Sequence, residues 1–178
     1  AARTAPAHPR SAPAIADEPA PADREHGTRV TVRAASLNHH DLWSLRGVGL
    51  PDSALPMILG TDAAGVTDDG REVVVHGVIG ADGHGVGPEE RRSLLSERYP
   101  GTLAEQVSVP TANLIDKPAS LSFEDAACLP TAWLTAYSLL FRAANLKPGD
   151  AVLVQGAGGG VASAAIALGV AAGLDVYA

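Results

Sequence analysis

The run Ala151-Val152-Leu153-Val154-Gln155-Gly156-Ala157-Gly158-Gly159-Gly160-Val161-Ala162-Ser163-Ala164-Ala165 sets the architecture. Val152, Leu153 and Val154 are continuously apolar, as a parallel strand covered on both faces requires. Five residues with almost no side chain follow, from Gly156 to Gly160. Val161, Ala164, Ala165, Leu168 and Ala172 then recur at helical spacing. Gly173 suits the left-handed position after a helix, and residues 174 to 178 restart a strand. The stretch reads as strand, glycine turn, helix, strand. Free N–H groups at a helix N-terminus, with no Cβ in the way, form a seat for a pyrophosphate. The spacing is an imperfect glycine fingerprint, Ala157-x-Gly159-x-x-Ala162, and the alternative is an ordinary tight turn between strand and helix. Its place at the opening of a βαβ unit favours a dinucleotide. Gly156, Gly158, Gly159, Gly160 and Val161 are the candidate cofactor residues.

For the chain as a whole, 178 residues suit one domain, or one domain with a piece of another. A net charge of −7 argues against nucleic acid and against an anionic membrane surface as partners. Cys128 is the single cysteine, so no disulfide forms within the chain. A reducing, cytoplasmic compartment follows as the expectation. No run approaches the ~20 apolar residues of a membrane span, and no signal peptide is read at the N-terminus. The chain starts at Ala1 without methionine and stops around the second strand of the nucleotide unit. A two-stranded parallel piece buries itself poorly, so either a segment of a longer protein or reliance on another chain is expected.

Residues 1 to 27 are Ala/Pro-rich and read as a disordered arm. Residues 28 to 118 alternate short strand patterns with Gly/Pro turns and read as a β-rich domain. Within it, 28 to 33 and 72 to 76 are strands. Asp68-Asp69-Gly70 is a hairpin turn. Residues 38 to 43 lie on a turn or short helix, 81 to 88 form a loop, and 89 to 98 tolerate a helix. Residues 119 to 178 hold connecting helices and the first βαβ unit. Ser122 to Asp125 reads as a capped helix start. A second helix follows, apolar at Trp133, Leu134, Tyr137, Leu140 and Phe141. Cys128 reads as a packed thiol.

The order of motifs resembles the medium-chain dehydrogenase/reductase superfamily, within it the quinone-oxidoreductase and enoyl-reductase branch. The residues that carry the resemblance are Ser36 to Gly47, Leu59-Gly60-Thr61-Asp62-Ala63-Ala64-Gly65, Leu129 to Tyr137, Lys147-Pro148-Gly149-Asp150 and the glycine run. It implies an α/β protein: a GroES-like β-rich domain, then the start of a Rossmann doubly wound parallel sheet, with the active site in the cleft between them. It implies hydride transfer between a nicotinamide cofactor, NADP(H) ahead of NAD(H), and a small-molecule enone, quinone or carbonyl. It also implies a homodimer for a full-length protein. An alcohol dehydrogenase-like activity on small alcohols or aldehydes, and a non-catalytic remnant of the fold, are the alternatives.

Zinc-dependent members of this superfamily hold catalytic zinc with a cysteine, the histidine of a Gly-His-Glu motif, and a further cysteine or aspartate. Asn38, Thr61 and Thr131 stand at the matching positions, and none is a usual zinc ligand. The reading is therefore zinc-free. A rival metal site would use His39, His40, Asp41 and Asp62. By the resemblance, Asn38 donates to a substrate oxygen or the nicotinamide amide, or only caps its turn. His40 relays a proton, or is solvated. Trp43 forms a stacking wall, or joins the core. Thr135 places a hydroxyl near the nicotinamide. Asp41 braces backbone, and Asp62 completes the candidate catalytic set of Asn38, His40, Asp41, Trp43, Thr61 and Asp62.

Overall fold

Strand β1 (Gly27–Ser36) forms the spine of the first sheet. It pairs antiparallel with β2 (Asp62–Thr67) on one side and with β6 (Gln106–Pro110) on the other. The computed structural model describes residues 13–22, 26–80 and 93–178. Between β1 and β2 lies a short helix, α1 (His39–Leu45). Beyond β2 come β3 (Glu72–Val75), β4 (Val78–Ile79), β5 (Ser93–Leu94) and, after β6, β7 (Leu114–Asp116). The five-stranded sheet runs β6-β1-β2-β3-β7, and every pairing is antiparallel.

Both faces of this sheet are covered. Val30, Ala63, Val73, Val75, Val107 and Val109 point into one core with Ile79 and Leu95. Ala64 and Val74 point the other way, against Ala126 and Ala127 of helix α2 (Phe123–Ala127). Alternation along a strand puts neighbours on opposite faces, so a strand buried on both sides reads as Val73-Val74-Val75 without a polar break. The β2–β3 hairpin closes through the Gly70 N–H to the Thr67 carbonyl at 2.9 Å, with Gly70 at φ 87°. The turn expected at Asp68-Asp69-Gly70 is there. Ser122 caps α2, its hydroxyl accepting from the Asp125 N–H at 3.0 Å.

Two expectations need correction. Residues 93 to 98 are not helical: Ser93–Leu94 pairs with β4 and a turn follows, because Leu95 is drawn fully into the sheet core. Residues 81 to 92, and with them the expected loop at 81 to 88, lie outside the described residues. Cys128 is exposed rather than packed, since the α2 turns bury Ala126 and Ala127 and rotate the next residue outward.

The chain divides by its contacts into Ala1–Cys128 and Leu129–Ala178. In the second unit, π-helical turns Leu129–Trp133 and Ser138–Ala143 flank α3 (Leu134–Tyr137). Then come β8 (Ala151–Leu153), α4 (Gly160–Ala171) and β9 (Asp175–Tyr177). β8 and β9 pair in parallel, Leu153 opposite Tyr177. Ala136, Leu140, Ala164, Ala165 and Leu174 form this unit's core, joined by Val152, Val154 and Val176. Only one face of the pair is covered: Leu153 is 69% and Tyr177 63% exposed. Of the expected helical stripe, Trp133, Leu134 and Tyr137 are exposed, while Leu140 is buried and Phe141 packs against the core beside Ala136. α4 ends as expected: the Gly173 N–H reaches the Val170 carbonyl and the Leu174 N–H the Gly169 carbonyl, with Gly173 at φ 74°.

Candidate functional site

The β1–β2 ladder ends on a cross-strand pair, Ser36 opposite Asp62. Beyond it the two chains part. One leads through Leu37 and Asn38 into α1, the other arrives through Gly60 and Thr61. Side chains directly opposite on neighbouring strands meet, and the Ser36 hydroxyl donates to Asp62 Oδ2 at 3.1 Å. Asn38 Nδ2 donates to the same oxygen at 2.9 Å and to Thr61 Oγ1 at 3.3 Å. Thr61 Oγ1 in turn donates to Asp62 Oδ1 at 3.3 Å. The Thr102 hydroxyl holds the Asp62 backbone carbonyl at 2.9 Å. Asp62 is 1% exposed and Thr61 3%. A buried carboxylate needs such donors, because an unpaired one is costly to desolvate.

Asp41 supplies a second anchor. It stands three residues after the cap position Asn38, and its Oδ2 accepts from the Asn38 N–H at 2.8 Å. Its Oδ1 accepts from the Gly60 N–H at 3.2 Å, stitching the start of α1 to the chain that enters β2. Gly60 sits at φ 97°, and a Cβ there would stand 2.5 Å from the Thr102 hydroxyl. No other residue fits that conformation and that space together.

His40 is half-buried, with Nε2 3.5 Å from the Ser44 hydroxyl and 3.7 Å from Glu97 Oε1. Trp43 is 44% exposed and is not a core residue. His39 lies tilted 5.6 Å from its ring, and the Arg46 guanidinium stands 5.3 Å over it. The first unit thus gathers Asn38, Asp41, Thr61 and Asp62 into one hydrogen-bonded set. His40 turns instead to Ser44 and Glu97, and Trp43 to His39 and Arg46. The sequence reading missed Ser36, Thr102 and Glu97. The Asn-x-x-Asp spacing of a capping box was the one local sign of the Asp41 bond. Nothing local marks Glu97, which reaches His40 from a distant part of the chain.

In the second unit the glycine turn is closed by the Gly159 N–H to the Gly156 carbonyl at 2.9 Å, with Gly156 at φ 74°. Gly159 is the cap residue of α4 and supplies no side chain to cap its first turn. Gly158 has no positive φ, and a Cβ there would meet nothing within 4 Å. The unit's own packing therefore does not require glycine at 158. Gly160 lies against the Leu129–Trp133 turn, where a Cβ would stand 3.4 Å from Ala132 Cβ. That turn carries Thr131, half-buried, and α3 carries Thr135, exposed.

Residues 24–119 match the alcohol dehydrogenase GroES-like domain family. The chain belongs to that family, within the medium-chain dehydrogenase/reductase superfamily. A NAD-dependent alcohol dehydrogenase of known structure is 37% identical with a TM-score of 0.86, over 97% of this chain and 55% of its own. The quinone oxidoreductase of Thermus thermophilus, solved also with NADPH, is 33% identical with a TM-score of 0.73, over 93% and 49%. The synaptic vesicle membrane protein VAT-1 homolog of Mus musculus is 35% identical over 89% of this chain and 36% of its own. The chain thus spans about half of these solved relatives and about a third of this curated one. Among the described residues, no helix is long and apolar enough to cross a membrane, and no three His, Cys, Asp or Glu side chains gather as metal ligands.

Proposed function

We propose that the chain belongs to a zinc-independent oxidoreductase that transfers a hydride between NADP(H) and a small enone, quinone or other carbonyl. The glycine turn carries this reading: a Cβ at Gly158 would meet nothing within 4 Å, so the backbone there is open to close approach by a ligand. Backbone N–H groups of Gly158, Gly160 and Val161 would hold the pyrophosphate, with Gly156 and the Gly159 N–H shaping the turn. Thr131 and Thr135 offer hydroxyls on neighbouring turns of the same unit. The cofactor supplies the hydride when bound, and the chain's residues orient, desolvate and move protons. NADP(H) ahead of NAD(H) draws support from the NADPH complex of the Thermus enzyme.

Zinc independence rests on donor chemistry. Asn38, Thr61 and Thr131 offer an amide and two hydroxyls where thiolate, imidazole or carboxylate is needed, and the first two are already bonded to Asp62 or to each other. Without a metal, negative charge developing on a substrate oxygen needs hydrogen-bond donors. The Asn38 amide N–H groups are committed to Asp62 and Thr61, so a substrate oxygen must compete for them. His40 beside Ser44 is the group suited to return a proton at neutral pH. Trp43, held between His39 and Arg46, offers an exposed apolar wall for a planar substrate.

A second reading, oxidation of small alcohols or reduction of aldehydes, draws support from the NAD-dependent alcohol dehydrogenase, 37% identical over 97% of this chain. One experiment separates the two. The full-length protein is assayed with NADPH and NADH against enones, quinones, aldehydes and alcohols, with and without chelator. Chelator-insensitive reduction of an enone or quinone is the expected result. Turnover confined to alcohols and aldehydes selects the second reading, and activity lost to chelator and restored by zinc overturns zinc independence.

A further inference from the structure

We propose that Asp62 is a positioning residue: it fixes the orientation of the Asn38 amide, and its effect on turnover rests on the functional reading above. Asp62 opens β2 opposite Ser36, and Thr102 fixes its carbonyl, so both its backbone and its carboxylate are held. The carboxylate is almost wholly buried. Ionised, it only accepts hydrogen bonds. Of the two ends of the Asn38 amide, only the nitrogen can therefore face it, and Nδ2 lies 2.9 Å from Oδ2. The Asn38 carbonyl oxygen is thereby turned away from Asp62. Thr61 meets the same carboxylate: it accepts from Asn38 Nδ2 and donates to Asp62 Oδ1, both at 3.3 Å. A single buried carboxylate thus accepts from the donors at the two first-unit positions that zinc-dependent members give to metal ligands.

Asparagine at 62 keeps the size and removes the property. Its amide nitrogen can occupy either side, so the Asn38 amide loses its reason to face inward. The full-length protein, labelled with 15N-asparagine, tests this through the side-chain amide signal of Asn38, assigned by its disappearance in Asn38→Ser. Asn145, on the exposed surface, is the internal reference. In the wild type the Asn38 side-chain protons should exchange about tenfold or more slowly than those of Asn145, and Asp62→Asn should abolish the difference. With an active substrate, Asp62→Asn frees the Asn38 N–H groups from competition between Asp62 and a substrate oxygen and should change kcat about tenfold while the nucleotide Kd stays within about twofold. Should Asp62→Asn fail to fold, Ser36→Ala serves instead. It removes the hydroxyl that shares Oδ2 with Asn38 and should shift the Asn38 signal.

Wild-type Asn38 protons exchanging as fast as those of Asn145 would overturn the proposal. So would protection that persists in folded Asp62→Asn, an Asn38 signal unmoved in Ser36→Ala, or equal losses of kcat and nucleotide binding. A wild type that binds nucleotide yet reduces no carbonyl would sink the functional reading alone, because the exchange measurement still decides whether Asp62 holds Asn38.

Discussion

Asp41 and Asp62 are buried carboxylates with different tasks. Asp41 holds backbone: its oxygens take the N–H groups of Asn38 and Gly60. Removing it leaves both donors without that acceptor, and a buried donor so stranded costs about 1–3 kcal/mol. Asp41→Ala should therefore destabilise the first unit by about 2–4 kcal/mol, with Asp41→Asn recovering part of that, in urea unfolding. Loss below about 0.5 kcal/mol would mean that water replaces the carboxylate without penalty. Gly159 offers the opposite test. Its φ of −85° and ψ of 152° are those of a normal cap, and a Cβ there meets only the Gly156 carbonyl, at 3.5 Å. Aspartate is a favoured cap residue, so Gly159→Asp should leave stability unchanged or raise it by a few tenths of a kcal/mol. The same charge would stand where a pyrophosphate is seated, and NADPH affinity should fall about tenfold or more. Unchanged affinity would remove Gly159 from the nucleotide site.

Among the elements, the β2–β3 hairpin carries a titratable lock. The Thr67 hydroxyl donates to the Asp69 carboxylate, and this bond, with smaller help from Arg71, holds Asp69 below the ordinary carboxylate range. Arg71 is itself tied to Asp116 of β7 at 2.6 Å. A carboxylate with a depressed folded pKa contributes stability above its unfolded pKa of about 3.9, and that contribution is lost as pH falls through the folded value. The thermal midpoint of the wild type should exceed that of Asp69→Asn near neutral pH, and the gap should close below about pH 4. A gap that stays constant with pH would show that the lock does not act through the charge. The hairpin turn itself was legible in Asp68-Asp69-Gly70, because turn chemistry is local. So were the Ser122 cap, the α4 repeat and the Gly173 terminus, each written within a few residues. Residues 93 to 98 were not: their charges resemble a helix surface, and only the buried Leu95 and pairing with Val78 and Ile79 make a strand there. The stripe of Trp133, Leu134, Tyr137, Leu140 and Phe141 held only at its last two residues, for a related reason. Periodicity says that a helix has an apolar face, not which partner covers it, and in the second unit it is Ala136 and Leu140 that are buried.

Across the whole chain, the order of motifs was enough to reveal the superfamily, since a glycine turn, a small-residue strand and a capped helix each constrain the backbone locally. The candidate site was legible in its members and not in its wiring. Asn38, Asp41, Thr61 and Asp62 share one hydrogen-bonded set, while His40 and Trp43 of the same expected set turn to other partners. Ser36 and Thr102, which hold Asp62 in place, are visible only once the strands are paired. Two separate observations support the proposed reading: a glycine turn that opens α4 in one unit, and Asn38 and Thr61 hydrogen-bonded to Asp62 in the other. Fluorescence titration of the full-length protein with NADPH and NADH, with metal content determined on the same sample, tests both together. Saturable binding, tighter for NADPH, with zinc far below one per chain, is the expected result. Stoichiometric zinc, or a folded protein that binds neither nucleotide, would contradict it.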